Sequence, residues 1–245
     1  MTDARALSHG AKSSSFGDRG VVKRLTALSR LTELTGEHLL DVGCADGTYT
    51  MRLADGFQRV DAIDIEEERL ADFRRAIAGT PFEERISVHN MSADKLLFDD
   101  GTFDAVTTIE VLEHVGDLDA SLREIHRVLV PGGRFLITSP NRWFPFETHG
   151  VMFRRGGRRH PSWHAPGLPW VPPLHRRMSD ARAFTVHRLG ARIQRIGFDL
   201  VGSGYIMPPF DRSPVGRRIR PLTDAVERSP LQFFGMALVL AFRKR

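Results

Sequence analysis

Nine consecutive residues constrain this chain more than any others: Leu39-Leu40-Asp41-Val42-Gly43-Cys44-Ala45-Asp46-Gly47. An apolar strand runs into a tight turn of small residues, and Thr48-Tyr49-Thr50-Met51-Arg52-Leu53 beyond it reads as a helix. Gly43 lets the backbone turn sharply, and Ala45 and Gly47 keep side chains clear, so that a ligand can touch main-chain N–H groups. The helix start leaves further N–H groups unpaired, which suits an anionic or carboxylate-bearing ligand. The spacing is Gly-x-Ala-x-Gly, not the Gly-x-Gly-x-x-Gly of a dinucleotide-binding turn, and this disfavours a dehydrogenase. Taken alone, the loop also reads as an ordinary strand–helix turn.

A second acid narrows the reading. Val60-Asp61-Ala62-Ile63-Asp64-Ile65 is a short apolar strand with Asp64 near its C-terminal end. In an open parallel sheet, ligands sit outside the carboxyl ends of the strands, and an acid there can accept both hydroxyls of a ribose. Loop and acid together resemble the class I S-adenosylmethionine-dependent methyltransferases, and the resemblance runs from Leu39 to the last strand with the elements in the family's order. It implies a Rossmann-like, doubly wound α/β fold: a seven-stranded sheet, mostly parallel with the last strand antiparallel, and helices on both faces. The implied cofactor is S-adenosyl-L-methionine.

At 245 residues, the chain suits a single domain over 1–245 with a sizeable core. Its 41% hydrophobic and 27% charged residues place it among soluble globular chains rather than disordered or membrane-embedded ones. One cysteine, Cys44, excludes a disulfide framework and a cysteine-rich zinc site. It reads as a loop filler rather than a nucleophile, because no activating neighbour stands beside it. The N-terminus lacks the apolar core of a signal peptide, and the most apolar tract, Phe233–Phe242, is short of the roughly 20 residues of a membrane span. The expected location is cytoplasmic. A formal charge of +5 allows an anionic partner (lipid, nucleic acid or a phosphorylated substrate) without choosing among them.

Along the chain, a helical segment is expected over about 13–36, with Val21, Leu25, Leu28 and Leu31 at helical spacing and Gly36 as its stop. Arg19 or Arg24 on it reaches the methionine carboxylate or belongs to a solvated basic face. Glu66–Ala78 is a helix with Leu70, Phe73 and Ile77 on one face, and Ile86-Ser87-Val88 is the third strand. Phe103–Ile109 is the fourth strand, and Asp117–Val130 a helix striped by Leu118, Leu122, Ile125 and Leu129. Pro131-Gly132-Gly133 turns into a fifth strand, Arg134–Ser139. From about 140 to 181, prolines, arginines, histidines and all three tryptophans crowd an insertion without periodicity, the signature of a substrate lid. A helix through Phe184, Leu189, Ile193 and Ile196 stops at Gly197. The strand Phe198–Ile206, a basic proline-containing linker and a final strand Met236–Phe242 complete the sheet.

Methyl transfer from a sulfonium is an in-line displacement, so the enzyme mainly aligns nucleophile, carbon and leaving sulfur in a dry pocket. By resemblance, Asp41, Gly43, Cys44, Ala45 and Gly47 hold the methionine end, Asp64 takes the ribose, and Ile65 lies against the adenine. Aligned on Asp100-Gly101 and Phe103-Asp104, the family's adenine-binding acid falls on Ser92. Either Ser92, with the Ala93 N–H, meets the adenine edge, or Asp94 substitutes. Glu110, at the end of the fourth strand, belongs with both the cofactor and the catalytic residues. His114, just beyond that strand, is the candidate general base for a hydroxyl acceptor; its bland alternative is a helix-start histidine bonded to backbone. Glu110, Glu113 and His114 also match a triplet that quinone-biosynthesis O-methyltransferases associate with a divalent metal, although the same string occurs in methyltransferases without one. No Asn-Pro-Pro-Tyr follows the fourth strand, which lowers the case for a nucleobase methylase.

In the lid, Arg154, Arg155, Arg158, Arg159, Arg176 and Arg177 alternate with Trp143, Phe144, Phe146, Phe153, Trp163 and Trp170. Such a mixture suits contact with an anionic membrane surface and a lipid-like acceptor, or a self-packed cap with a solvated basic rim. The expected function is methyl transfer to oxygen of a small-molecule or lipid-linked acceptor, with peripheral contact at the inner membrane surface. An RNA methylase and a non-catalytic adenosylmethionine-binding protein are the alternatives.

Overall fold

The computed structural model describes residues 17–153, 160, 165–210 and 214–245. Seven strands form one sheet: β1 (Gly36–Val42), β2 (Phe57–Asp64), β3 (Ile86–Asn90), β4 (Phe103–Ile109), β5 (Leu129–Pro140), β6 (Phe198–Ile206) and β7 (Ala237–Lys244). Their spatial order is β3-β2-β1-β4-β5-β7-β6. β1 pairs in parallel with β2 and β4, β2 with β3, and β4 with β5. β7 alone runs against its neighbours, lying antiparallel between β5 and β6. The order reverses direction at β1 and β4, so a crevice opens beyond their carboxyl ends.

The two-residue period of the strands builds two cores. Leu40, Val42, Ile63, Val106, Phe135 and Ile137 face one side with the helices α4 (Leu118–Val128) and α6 (Val186–Ile196). Leu39, Val60, Ala62, Ala105, Leu136 and Val239 face the other, where α1 (Gly17–Ser29) and α3 (Glu67–Ile77) pack. Packing decides these helices more than capping does. Asp117 and Thr185 cap α4 and α6 for about 1 kcal/mol each. Leu118, Leu122, Ile125 and Val128 on α4 are all buried, at about 1.5–3 kcal/mol apiece.

Three expectations change. Gly36 does not stop the first helix; α1 ends at Ser29 and Gly36 opens β1, its Cα packed against Asp104, Arg134 and Phe57 with no room for a Cβ. The loop helix is short, with α2 (Thr50–Leu53) passing into a 3-10 turn at Ala54–Gly56. The expected basic linker contains α7 (Pro214–Val226) and a 3-10 turn at Pro230–Phe234. Pro214 sits where a helix tolerates proline, and Asp224 and Glu227 reach Lys23 of α1 at 3.2 and 2.6 Å, while Arg19 meets Asp224 at 3.2 Å. Lid residues 140–181 include one short helix, α5 (Pro172–Met178), and a 3-10 turn at Leu168–Trp170. The expected roles of Arg154, Arg155, Arg158, Arg159 and Trp163 lie outside the described residues. Among the described residues, no helix is long and apolar enough to cross a membrane.

Candidate active site

The β1–α2 loop is held from beneath by Asp41. Its carboxylate is fully buried and accepts the hydroxyls of Thr50 at 2.6 Å and Thr107 at 2.7 Å. Burial pushes its pKa up to about 6 against the pull of those two hydrogen bonds. Asp41 therefore fixes the loop from inside instead of lying open to the crevice. Gly43 and Gly47 have φ of +75° and +78°, and a Cβ on either would strike Val111 at 2.3 Å or the Phe73 ring at 2.1 Å. Ala45 also has a left-handed φ, +50°. Cys44 is buried, and burial with the nearby Asp41 and Asp64 charges drives its thiol pKa far up, so no thiolate forms there.

The loop amides are spent within the protein. Gly43 and Cys44 donate to the Ile63 carbonyl at 2.7 and 3.0 Å, Ala45 to Asp64 Oδ2 at 2.9 Å, and Gly47 to the Cys44 carbonyl at 2.9 Å. The fan of free donors expected from the sequence is not formed at these four positions, because β2 and its terminal acid compete for them first. What the loop offers is close approach of a ligand to main chain at Gly43 and Gly47.

Asp64 does two jobs in the backbone: Oδ2 holds Ala45 and Oδ1 accepts the Glu66 N–H at 2.9 Å, just ahead of α3. Each carboxylate oxygen keeps a further acceptor position. Ile65 beside it is 70% exposed, an apolar platform at the crevice edge. The Asp64 carbonyl receives the Met91 N–H at 3.0 Å, bringing the segment after β3 alongside. There the Ser92 hydroxyl donates to Asp94 at 2.6 Å, and Ala93 is buried. Ser92 and Asp94, alternatives in the sequence, form one hydrogen-bonded unit. Leu97, 76% exposed on the same segment, carries no sequence signal of its own.

At the end of β4, Glu110 takes a left-handed φ of +59°, an uncommon state for a residue with a side chain. Its Oε1 accepts Thr138 Oγ1 at 2.9 Å and meets Arg24 Nε at 3.4 Å. Arg24 is fully buried, so it does not belong to a solvated basic face; its guanidinium ties α1 to the strand end. Glu113 is buried too. Its Oε2 accepts Ser139 Oγ at 2.8 Å, while Oε1 has no hydrogen-bond partner and lies 3.8 Å from His149 Nε2. Burial, then the neighbouring Glu110 charge, holds this carboxyl well above the usual range. His114, exposed at the mouth, meets the His149 ring edge-on at 4.8 Å between centroids.

Glu113, His114 and His149 have ligating atoms all within 4.8 Å of one another. The Glu110, Glu113 and His114 string matched in the sequence is not the group the fold brings together; Glu110 turns to Thr138 and Arg24, and the lid's His149 stands with Glu113 and His114. Two nitrogens and a buried carboxylate oxygen lacking a donor form a set able to hold a divalent ion. His149 was invisible in the sequence, as were its supports. Its main-chain N–H donates to Glu147 Oε1 at 3.0 Å, and Glu147 Oε2 binds the buried His175. Burial raises the Glu147 pKa, but the hydrogen bonds from His149 and His175 outweigh it and bring the value down to about 2.

Comparison with known proteins agrees with this geometry. A methyltransferase domain family matches residues 40–137. A demethylmenaquinone methyltransferase of Symbiobacterium thermophilum is 38% identical over 114 residues, 44% of this chain and 45% of that protein. A ubiquinone biosynthesis O-methyltransferase of Xanthomonas oryzae pv. oryzae is 35% identical over 122 residues, 49% of each chain. This chain therefore spans about half the length of the curated relatives it matches. The crystal structure of an S-adenosylmethionine-dependent methyltransferase from Mesorhizobium loti shares the fold, with a TM-score of 0.63 and 21% identity over 91% of this chain and 98% of that one. Residues 40–137 thus match the methyltransferase domain family, and sheet order, loop and strand-end acid give the chain the fold of S-adenosylmethionine-dependent methyltransferases.

Proposed function

We propose that this chain moves a methyl group from S-adenosylmethionine to an oxygen of a small or lipid-like acceptor, with His114 as the general base. The observation that carries the reading is the alignment of cofactor-type and base-type groups along one crevice: Gly43–Gly47, Asp64 and Ser92 at the ends of β1, β2 and β3, and His114 with His149 and Glu113 beyond β4. The methionine end meets the main chain over Gly43–Gly47, Asp64 accepts the ribose hydroxyls, Ile65 covers one adenine face, and the Ser92–Asp94 pair with Ala93 reads the adenine edge. Glu110 and Arg24 brace the wall between the two halves of the pocket. The sulfonium is already activated, so the protein's work is to align the acceptor oxygen and remove its proton.

Quinone-type ring hydroxyls are the acceptor class suggested by the names of the relatives. The exposed Trp143, Phe146, Phe153 and Trp170 of the lid supply apolar surface for such a molecule and for peripheral contact with a membrane. The test is calorimetry with S-adenosylmethionine, followed by mass spectrometry of hydroquinone and catechol acceptors for a gain of one methyl. His114→Ala that abolishes transfer, in an enzyme indifferent to chelators, supports the base. Loss of activity to chelators alone assigns Glu113, His114 and His149 to a divalent ion that lowers the acceptor hydroxyl's pKa. Absence of heat from the cofactor overturns the proposal.

A further inference from the structure

The base of the lid carries arginines that, among the described residues, form no ion pair. Residues 148–179 hold six arginines and no aspartate or glutamate. Of the acids that bracket this run, Glu147 is buried and spent on His149 and His175; the other is Asp180. Arg142 lies two residues past the end of β5, three residues after the serine that bonds Glu113. Its Nε and Nη2 both donate to the Ala183 carbonyl, at 3.2 and 2.8 Å, while Nη1 is shielded from water and has no acceptor. The Arg142 side chain donates to the Ala183 carbonyl and its main-chain N–H to the Phe184 carbonyl, which sets it beside the start of α6. Burial, with the charges of Arg188 and Arg176, presses its pKa down. Arg176 on α5 and Arg188 on α6 are exposed, and among the described residues neither forms an ion pair. Arg188 also stands in the first turn of α6, where the helix dipole adds to the positive potential.

Arg142, with a desolvated N–H left over, and the exposed Arg176 and Arg188, unpaired among the described residues, offer an anion both positive charge and an unmatched donor. We infer that Arg142, Arg176 and Arg188 form an oxyanion subsite at the foot of the lid, built for a phosphate-class group: a phosphate or diphosphate ester, on a free small molecule or on a lipid headgroup. This deepens the methyltransferase reading by seating the charged end of an acceptor, or of the lipid that carries it, and rests on that reading for its role though not for its binding.

The experiment titrates inorganic diphosphate into the full chain, followed by calorimetry and by tryptophan fluorescence, since Trp143 adjoins Arg142. Saturable binding is expected. Arg142→Gln and the surface pair Arg176→Gln/Arg188→Gln each weaken it by about tenfold or more. Arg59→Gln, one exposed charge on β2, leaves it unchanged. The surface pair keeps the test valid if Arg142→Gln fails to fold. Vesicles separate the sources. Sedimentation with phosphatidylglycerol in phosphatidylcholine but not with pure phosphatidylcholine, competed by diphosphate and lost in the surface pair, assigns a lipid headgroup. Diphosphate binding without vesicle binding assigns a free ester. Absence of both, or an equal loss in Arg59→Gln, overturns the subsite. S-adenosylmethionine binding, measured on the same samples, tells the two failures apart: if it persists while diphosphate fails, only the subsite falls. If it is absent while diphosphate binds, only the methyltransferase reading falls.

Discussion

The loop at residues 39–47 and the lid at 140–181 meet across one crevice, yet they are made differently. The loop is main chain on a buried frame: Asp41 beneath it, Asp64 beside it and two glycines whose missing side chains leave space for Val111 and Phe73. The lid is side chains from distant positions. Its inner layer joins His149, Glu147 and His175 to Glu113, and its outer layer is arginine and tryptophan. A main-chain site is fixed by the strands around it, and under the proposed function it suits the methyl donor. A side-chain site can be rebuilt residue by residue, and under the same proposal it suits the acceptor.

Substitution at the frame should break this contrast most severely. Gly47→Val meets the Phe73 ring and a left-handed φ together, for an expected loss of about 3–5 kcal/mol and of all cofactor binding; urea unfolding and calorimetry measure both. His114→Ala is expected to lower kcat by about a hundredfold to ten-thousandfold while leaving cofactor affinity in place, and a matching fall in cofactor affinity would erase the division between the halves. Glu147→Gln probes the lid alone. The carboxylate's lowered pKa means that its contribution to stability is complete above its unfolded value near 4.5 and is lost as pH falls toward 2, about 3 kcal/mol for a shift of this size. The acid limb of a stability–pH curve should flatten accordingly in the variant.

Asp41→Asn tests the opposite sign in the frame. A raised pKa lets the folded chain bind a proton that the unfolded chain has released, so wild-type stability falls as pH rises from about 4 to about 6. The neutral variant should gain about 3 kcal/mol on wild type across that window, read from unfolding midpoints at several pH values. Ser92→Ala is the mildest: a fewfold weaker cofactor affinity, seen by calorimetry, with stability within about 1 kcal/mol.

What the sequence revealed follows the same division. Gly43, Gly47 and Asp64 could be read because a small-residue turn after an apolar strand and an acid at the end of the next are local patterns, and the period-two strands around them declare both cores. Glu147, His149 and His175 could not, because their meeting depends on how an aperiodic insertion folds back, with Glu147 and its histidine 28 positions apart. Glu113 was visible as a letter in a string, but not as a buried carboxylate with one unmatched oxygen. The helix α7 hid behind Pro214 and Pro221, although Asp224 and Glu227 at helical spacing were its clue. The spent loop amides were hidden for a different reason: their competitor, the Ile63 carbonyl, belongs to the neighbouring strand.

The position of β7 has a consequence for how the molecule is made. This strand is translated after every element it joins, yet it lies inside the sheet between β5 and β6, with each of Ala237–Ala241 buried. Until it leaves the ribosome, β5 presents an open apolar edge and β6 has no place to attach. A chain cut short before Ala237 leaves that edge of β5 free to pair with another copy.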